Sequence, residues 1–223
     1  MCPTPTSRIA GFVACCLIAV SACGCAYLHQ QPQVEQLEFV APVTTPQNVF
    51  VSPHFFARTP SRVAIVLPHN RIENFLEQDV FGQQLATELG NAGVAEAIVA
   101  TGPYYCRSNT IETGTINAYE LVAVSKAHSA DAVLYVDVTS ISPYSPLAAS
   151  VNLVLVDARE SVVLMTVSHR WDLNDRTTAA SFQAHRCKVT GQDGFASDIY
   201  AESPTTLLEF MAADLARYIS TVR

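Results

Sequence analysis

The clearest hydrophobic patterning lies beyond residue 61. Arg62 to Leu67 is a near-continuous apolar run stopped by Pro68, which reads as a buried strand. In "NRIENFLEQDVFGQQLATELGNAG", Ile72, Phe75, Leu76, Val80, Phe81, Leu85 and Leu89 fall close to helical spacing, and Asn91 or Gly93 closes the helix. "VAEAIVA" (Val94 to Ala100) predicts a second short strand, and "TGPYYCRSNTIETGT" a loop rich in turn formers. Asn117 and Glu120 stand at capping-box spacing ahead of a helix with Leu121, Val124 and Ser125 on one face. "ADAVLYVDVTSIS" predicts the third strand. Val151, Leu153 and Leu155, then Val163, Met165 and Val167, alternate on either side of "DARES" as a hairpin. Residues 174–201 are polar and read as irregular, with at most a short helix from Ala179 to His185. Ser203-Pro204 then opens a last helix whose stripe is Leu207, Leu208, Met211, Leu215, Tyr218, Ile219 and Val222.

The predicted order is β-α-β-α-β-β-β-α over residues 62–223. Two early β-α units favour right-handed crossovers and a parallel start, and the hairpin adds antiparallel strands. The fold class is α/β, a mixed β-sheet with helices packed on it.

Before this domain the pattern changes twice. One positive charge at Arg8 precedes an apolar stretch from Ile9 to about Val20, followed by Ser21 and Ala22. That stretch is too short to span a bilayer comfortably and has the layout of a secretory signal, residues 1–22. From Gly24 to about Ser61 the chain is rich in glutamine and carries Pro32, Pro42, Pro46, Pro53 and Pro60. Prolines at this density deny a continuous helix, so residues 23–61 read as a tether with a reach on the order of 120 Å. Two apolar patches inside it, "LEFV" and "NVFV", can add an edge strand or lie over the domain.

The residues "VSAC", ending at Cys23, resemble a bacterial lipobox, an apolar residue and two small ones before a cysteine. The resemblance implies that the Cys23 thiol takes a diacylglycerol and becomes the acylated N-terminus after cleavage. The three acyl chains it implies hold far more firmly than one, which gives only marginal binding. Gly24 and Cys25 follow, with no aspartate, the usual inner-membrane retention mark in enteric bacteria, so the outer membrane, facing the periplasm, is the expected address. The rival "ACGC", ending at Cys25, is the weaker lipobox, and an ordinary signal peptide cut nearby is the plain alternative.

The formal charge of −7, already carrying Arg8 of the leader, argues against nucleic acid, since an acidic chain repels phosphate backbones. Of seven cysteines, Cys106 and Cys187 are the two in the globular part. In an oxidising compartment they are a candidate disulfide, with two free thiols as the alternative. No cysteine or histidine spacing suits a metal, and no glycine-rich loop suits a phosphate, so neither metal nor cofactor is expected.

The phrases "RVAIVLP", "QLATELGNAGV", "VSKAHSADAVLYVDVTSI" and "VNLVLVDARESVVLMTV", in this order, resemble the CsgG/LpoB-like superfamily of bacterial envelope lipoproteins, to which the N-terminal domain of TolB is similar. The match covers about Arg62 to Trp171 plus the last helix and consists of packing and turn residues. Asp157 is followed by "ARES" where many relatives carry a Thr-Gly turn, and the connections are too short for the membrane hairpins of the secretion-channel members. The resemblance implies a non-catalytic accessory factor in cell-wall synthesis or envelope assembly, docking on an envelope protein or on its own copies. A secretion or transport subunit and a periplasmic hydrolase are the alternatives.

Candidate chemistry is thin. "HRWDLND" gathers His169, Arg170, Trp171, Asp172 and Asp175, which suggests acid–base work, but the spacing of the histidine and carboxylates on a strand end does not converge. Asp131 reads as a turn or cap residue, Asp137 as a solvent-face position, and His128 and His185 as isolated. Tyr104, Tyr105, Tyr144 and Trp171 are the aromatic candidates for partner binding.

Overall fold

The computed structural model describes residues 44–67, 75–101, 115–190 and 203–223. Its elements are β1 (Asn48–Val51), α1 (Pro53–Ala57), β2 (Arg62–Val66), α2 (Phe75–Asn91), β3 (Glu96–Val99) and α3 (Ala118–His128). They continue with β4 (Ala132–Ser142), β5 (Ala148–Asp157), β6 (Val163–Asp172), α4 (Arg176–Thr190) and α5 (Pro204–Val222). The strands form one sheet in the order β1-β6-β5-β4-β2-β3. β2 is parallel to both β3 and β4, while β4-β5, β5-β6 and β1-β6 are antiparallel. The mixed α/β sheet expected from the patterning is the one observed.

β3 and β4 lie on opposite sides of β2, so right-handed crossovers send α2 and α3 to opposite faces. The alternation of the strands confirms this. Leu134, Val136, Val151, Leu153, Met165 and Val167 pack with Phe81, Leu85 and Leu89 of α2 and with Leu207, Met211 and Leu215 of α5. On the other face Ala64, Val66, Val133, Tyr135 and Val156 pack with Leu121 and Val124 of α3.

Helix ends follow local chemistry. Gly93 has φ +66°, and its N–H reaches Gly90 O while that of Val94 reaches Leu89 O, each at 3.0 Å, a Schellman closure of α2. Gly82 lets α2 approach the sheet, since a Cβ there would lie 2.8 Å from Leu67 Cδ1. Asn117 caps α3 by accepting from the N–H groups of Tyr119 and Glu120, and Ser203 caps α5 through Thr206 N–H. The β5-β6 turn is held by Asp157, whose Oδ1 accepts from Arg159 and Glu160 N–H at 2.7 and 2.8 Å, with Ser161 left-handed at φ 55°.

Within residues 23–61, the "NVFV" patch takes the first of its two expected places, as the edge strand β1, and Phe55 of α1 is buried. The prolines flank these elements instead of interrupting them, with Pro53 at the first position of α1, where no N–H is needed. The segment after Asn174, expected to be irregular with at most a short helix from Ala179 to His185, contains the longer helix α4. Asp175 starts it, and among residues 176–189 only Thr178, Ser181 and Phe182 are buried, too few to write a hydrophobic stripe. Asp137 is buried, not on a solvent face, because β4 is a central strand.

Candidate functional site

Alternation along β6 puts Met165, Val167, His169 and Trp171 on one face, and α5 crosses it. Within α5, Leu207, Met211 and Asp214 follow one another at four- and three-residue spacing, so a carboxyl group stands on the core stripe of the helix. Asp214 is 1% exposed and Trp171 is wholly buried. Trp171 Nε1–H donates to Asp214 Oδ2 at 3.1 Å, and the Thr44 hydroxyl donates to the same oxygen. Thr44, itself buried, is where the described domain begins. The chain therefore enters the domain through a contact with its core, and residues 44–57 form a strap: Thr44, β1 on β6, Ser52 N–H to Leu164 O at 2.8 Å, and buried Phe55.

His169 is 7% exposed and meets the Trp171 ring edge to face, with centroids 4.3 Å apart. Among the described residues neither of its ring nitrogens, nor Asp214 Oδ1, has a hydrogen-bond partner. Burial holds the imidazole below the ordinary histidine range, and the charge of Asp214 offsets part of that effect. His185 of α4, beside Phe210 at 5.7 Å between centroids, is lowered by burial in the same way.

The acid–base grouping read from "HRWDLND" is not assembled. Asp172 accepts from Asn174 N–H at 3.0 Å and pairs with Arg170 at 3.2 Å, and these contacts hold its carboxyl below the usual range. Asp175 caps α4 through the N–H and hydroxyl of Thr178 at 2.8 and 3.0 Å, with the same consequence. The residue that does approach His169 and Trp171 is Asp214, which the sequence reading passed over. Its signal was available: an aspartate interrupting an otherwise apolar helix stripe. Trp171, named as a partner-binding aromatic, is corrected to a core residue, because both its ring and its N–H are consumed internally.

Asp131 behaves as the cap it was read to be. It accepts from the hydroxyl and N–H of Ser61 and from Arg62 N–H, and pairs with Arg159 at 3.3 Å. The Ser61 hydroxyl is the largest reason its carboxyl is lowered. It thereby joins the starts of β2 and β4 to the β5-β6 turn. Tyr144 stands almost fully exposed between β4 and β5. Cys187 is half-buried on α4. Cys23, Tyr104, Tyr105 and Cys106 lie outside the described residues.

Two exposed apolar regions remain. Val49 and Phe50 of β1, on opposite faces of the sheet, and Phe56 of α1 are exposed along the edge formed by the strap. Tyr119 and Val122 stand on the outer side of α3. Among the described residues no group of three or more His, Cys, Asp or Glu side chains is placed to hold a metal, and no helix is long and apolar enough to cross a membrane.

Fold and site define a class: a one-sheet mixed α/β domain whose N-terminal entry is fastened to a buried Trp–Asp pair and bordered by an aromatic edge. Among solved structures the chain is similar to the PelC dodecamer from Paraburkholderia phytofirmans, with 11% identity, TM-score 0.41, and coverage of 60% of this chain and 86% of that one. It is similar to lipoprotein GNA1162 from Neisseria meningitidis, with 18% identity, TM-score 0.35, and coverage of 60% and 100%. It is also similar to the hypothetical protein CT253 from Chlamydia trachomatis, with 13% identity, TM-score 0.39, and coverage of 73% and 99%. No protein-family model and no curated protein sequence matches the chain.

Proposed function

We propose that this chain is a lipid-anchored envelope lipoprotein that works as a non-catalytic docking factor in cell-wall synthesis or envelope assembly. The observation that carries the reading is the leader: a short apolar run ending in "VSAC", followed by a Gln/Pro-rich segment that leads to Thr44. Acylation of Cys23 places the protein on the periplasmic side of the outer membrane. The segment between Cys23 and Thr44 then sets how far the domain reaches. The strap presents Phe50 and Phe56 for contact with an envelope protein, aromatic anchors of the kind that dominate docking energetics.

Mass spectrometry of the mature chain tests the anchor, with acylated Cys23 as the expected N-terminus. A mature chain beginning elsewhere without acyl groups refutes the address, as does a Cys23→Ser variant that still fractionates with membranes. A photo-crosslinking residue at position 50, in cells, tests the docking. The expected result is a discrete adduct with an envelope protein that is lost in Phe56→Asp.

A further inference from the structure

We propose that the outer face of α3 docks a second copy of this chain, the two helices packing antiparallel about a two-fold axis. The inner face of α3 is spent on the sheet through Leu121 and Val124. At about 100° per residue, Ala118, Tyr119, Val122, Ala123, Lys126 and Ala127 cover the opposite half of the helix, and all six are exposed. Tyr119 is 91% and Val122 41% exposed. A helix face turned to water normally carries several Glu, Lys or Gln side chains. This one carries a single charge, at Lys126.

The occupant follows from how these six positions are arranged. Tyr119 and Lys126 lie on the crest of the face, two turns and about 10 Å apart along the axis. The face is symmetric about the midpoint between Val122 and Ala123: Ala118 answers Ala127, Tyr119 answers Lys126, and Val122 answers Ala123. An antiparallel copy therefore brings each Lys126 ammonium over the Tyr119 ring opposite, twice in the dimer, a cation–π pair. Val122 meets Ala123 beside the contact line, and Ala118 and Ala127 flank it with side chains too small to obstruct the pairing. A parallel copy would set Lys126 against Lys126 and is disfavoured. The contact is isologous, so it closes on itself as a dimer.

A single helix pair covers well under the roughly 1,600 Å² of a standard interface. The dimer is accordingly weak and dissociates on dilution. The anchor proposed above would raise the effective concentration of the two copies without adding a contact, but the interface does not depend on it.

The test is register-specific cysteine crosslinking of the full chain with a short bismaleimide, in cells and after purification, against the unsubstituted chain with its native cysteines. Val122→Cys and Ala123→Cys, next to the axis, should each crosslink to themselves. Tyr119→Cys should crosslink to Lys126→Cys in mixed samples but not to itself. Sedimentation should give a concentration-dependent monomer–dimer equilibrium, weakened at least about tenfold by Val122→Glu, which sets two carboxylates at the axis. Circular dichroism unchanged in that variant separates loss of contact from loss of fold. Crosslinking no stronger than in the parent, self-crosslinking of Tyr119→Cys equal to the mixed pair, adducts only of another protein's mass, or a monomer at every concentration would each overturn the proposal. Because purified protein suffices, a failed anchor and a failed dimer are told apart.

Discussion

Replacing Asp214 by alanine removes the acceptor shared by two buried donors. Trp171 Nε1–H is wholly enclosed and donates to Asp214, so its orphaning costs about 1–3 kcal/mol. The Thr44 hydroxyl is nearly as buried but can rotate, and adds about 1 kcal/mol. The space left by the carboxyl adds a cavity of modest size. A total of about 3–4 kcal/mol is a large share of the ~5–15 kcal/mol that holds a domain folded. For a domain of this length it corresponds to a drop in Tm of roughly 6–16 °C. The loss should be spatially uneven. Hydrogen exchange followed by mass spectrometry should show β1 and α1 opening first, because the strap loses its end contact, while β2 and β4 keep their protection. Thr44→Val should reproduce the strap's exchange with a smaller Tm change. The reasoning is refuted if Asp214→Ala lies within 1 kcal/mol of the parent, or if Asp214→Leu is more stable than either. The buried carboxyl would then be a net cost, as buried polar groups can be, and apolar packing alone would hold the strap.

Buried His169 and half-buried His185 predict acid sensitivity. Their native pKa lies below the unfolded value near 6.5, so the unfolded chain binds more protons and stability falls as pH drops below about 6.5, levelling off once the native imidazoles also protonate. Urea midpoints between pH 7.5 and 5 should show this fall, and His169→Phe should shrink it. Asp131, Asp172 and Asp175 shift the other way, so their contribution is lost only as pH falls below about 4, a separable window. Backbone handedness gives a pair of opposite sign. Ser161→Gly should raise the unfolding free energy by about 0.5–1 kcal/mol and Gly93→Ala should lower it by about 1 kcal/mol, both read as shifts of the urea midpoint at unchanged slope.

What could be read from the sequence was what periodicity encodes. The buried run at Arg62 to Leu67, the Leu85–Leu89 rhythm, the hairpin about Asp157 and the final stripe all became the elements they implied, since each carries enough apolar positions to bury one face. α4 was legible only in its middle, Ala179 to His185, because its stability rests on the Asp175 cap and a few contacts such as Phe182 with Phe210 at 5.5 Å, and hydrophobic spacing does not report those. β1 was legible as an apolar patch, but the prolines around it left open whether it pairs with the sheet or lies over it. The polar cluster was half legible: His169 and Trp171 drew notice, but their partners Thr44 and Asp214 lie 170 residues apart. Only the folded sheet brings them together.

The strap also gives the molecule an order of mechanical yielding. A load arriving from residues ahead of Thr44 meets that hydroxyl contact first, then the four residue pairs joining β1 to β6, from Asn48–Ser168 to Val51–Met165. Pulling an edge strand away from the sheet breaks such pairs one after another, like a zip. Only then does the force reach Ser52 and Phe55, and the parallel centre of β2, β3 and β4 is spared throughout. Tension would thus be absorbed at the margin, in a segment able to re-form once the pull is released.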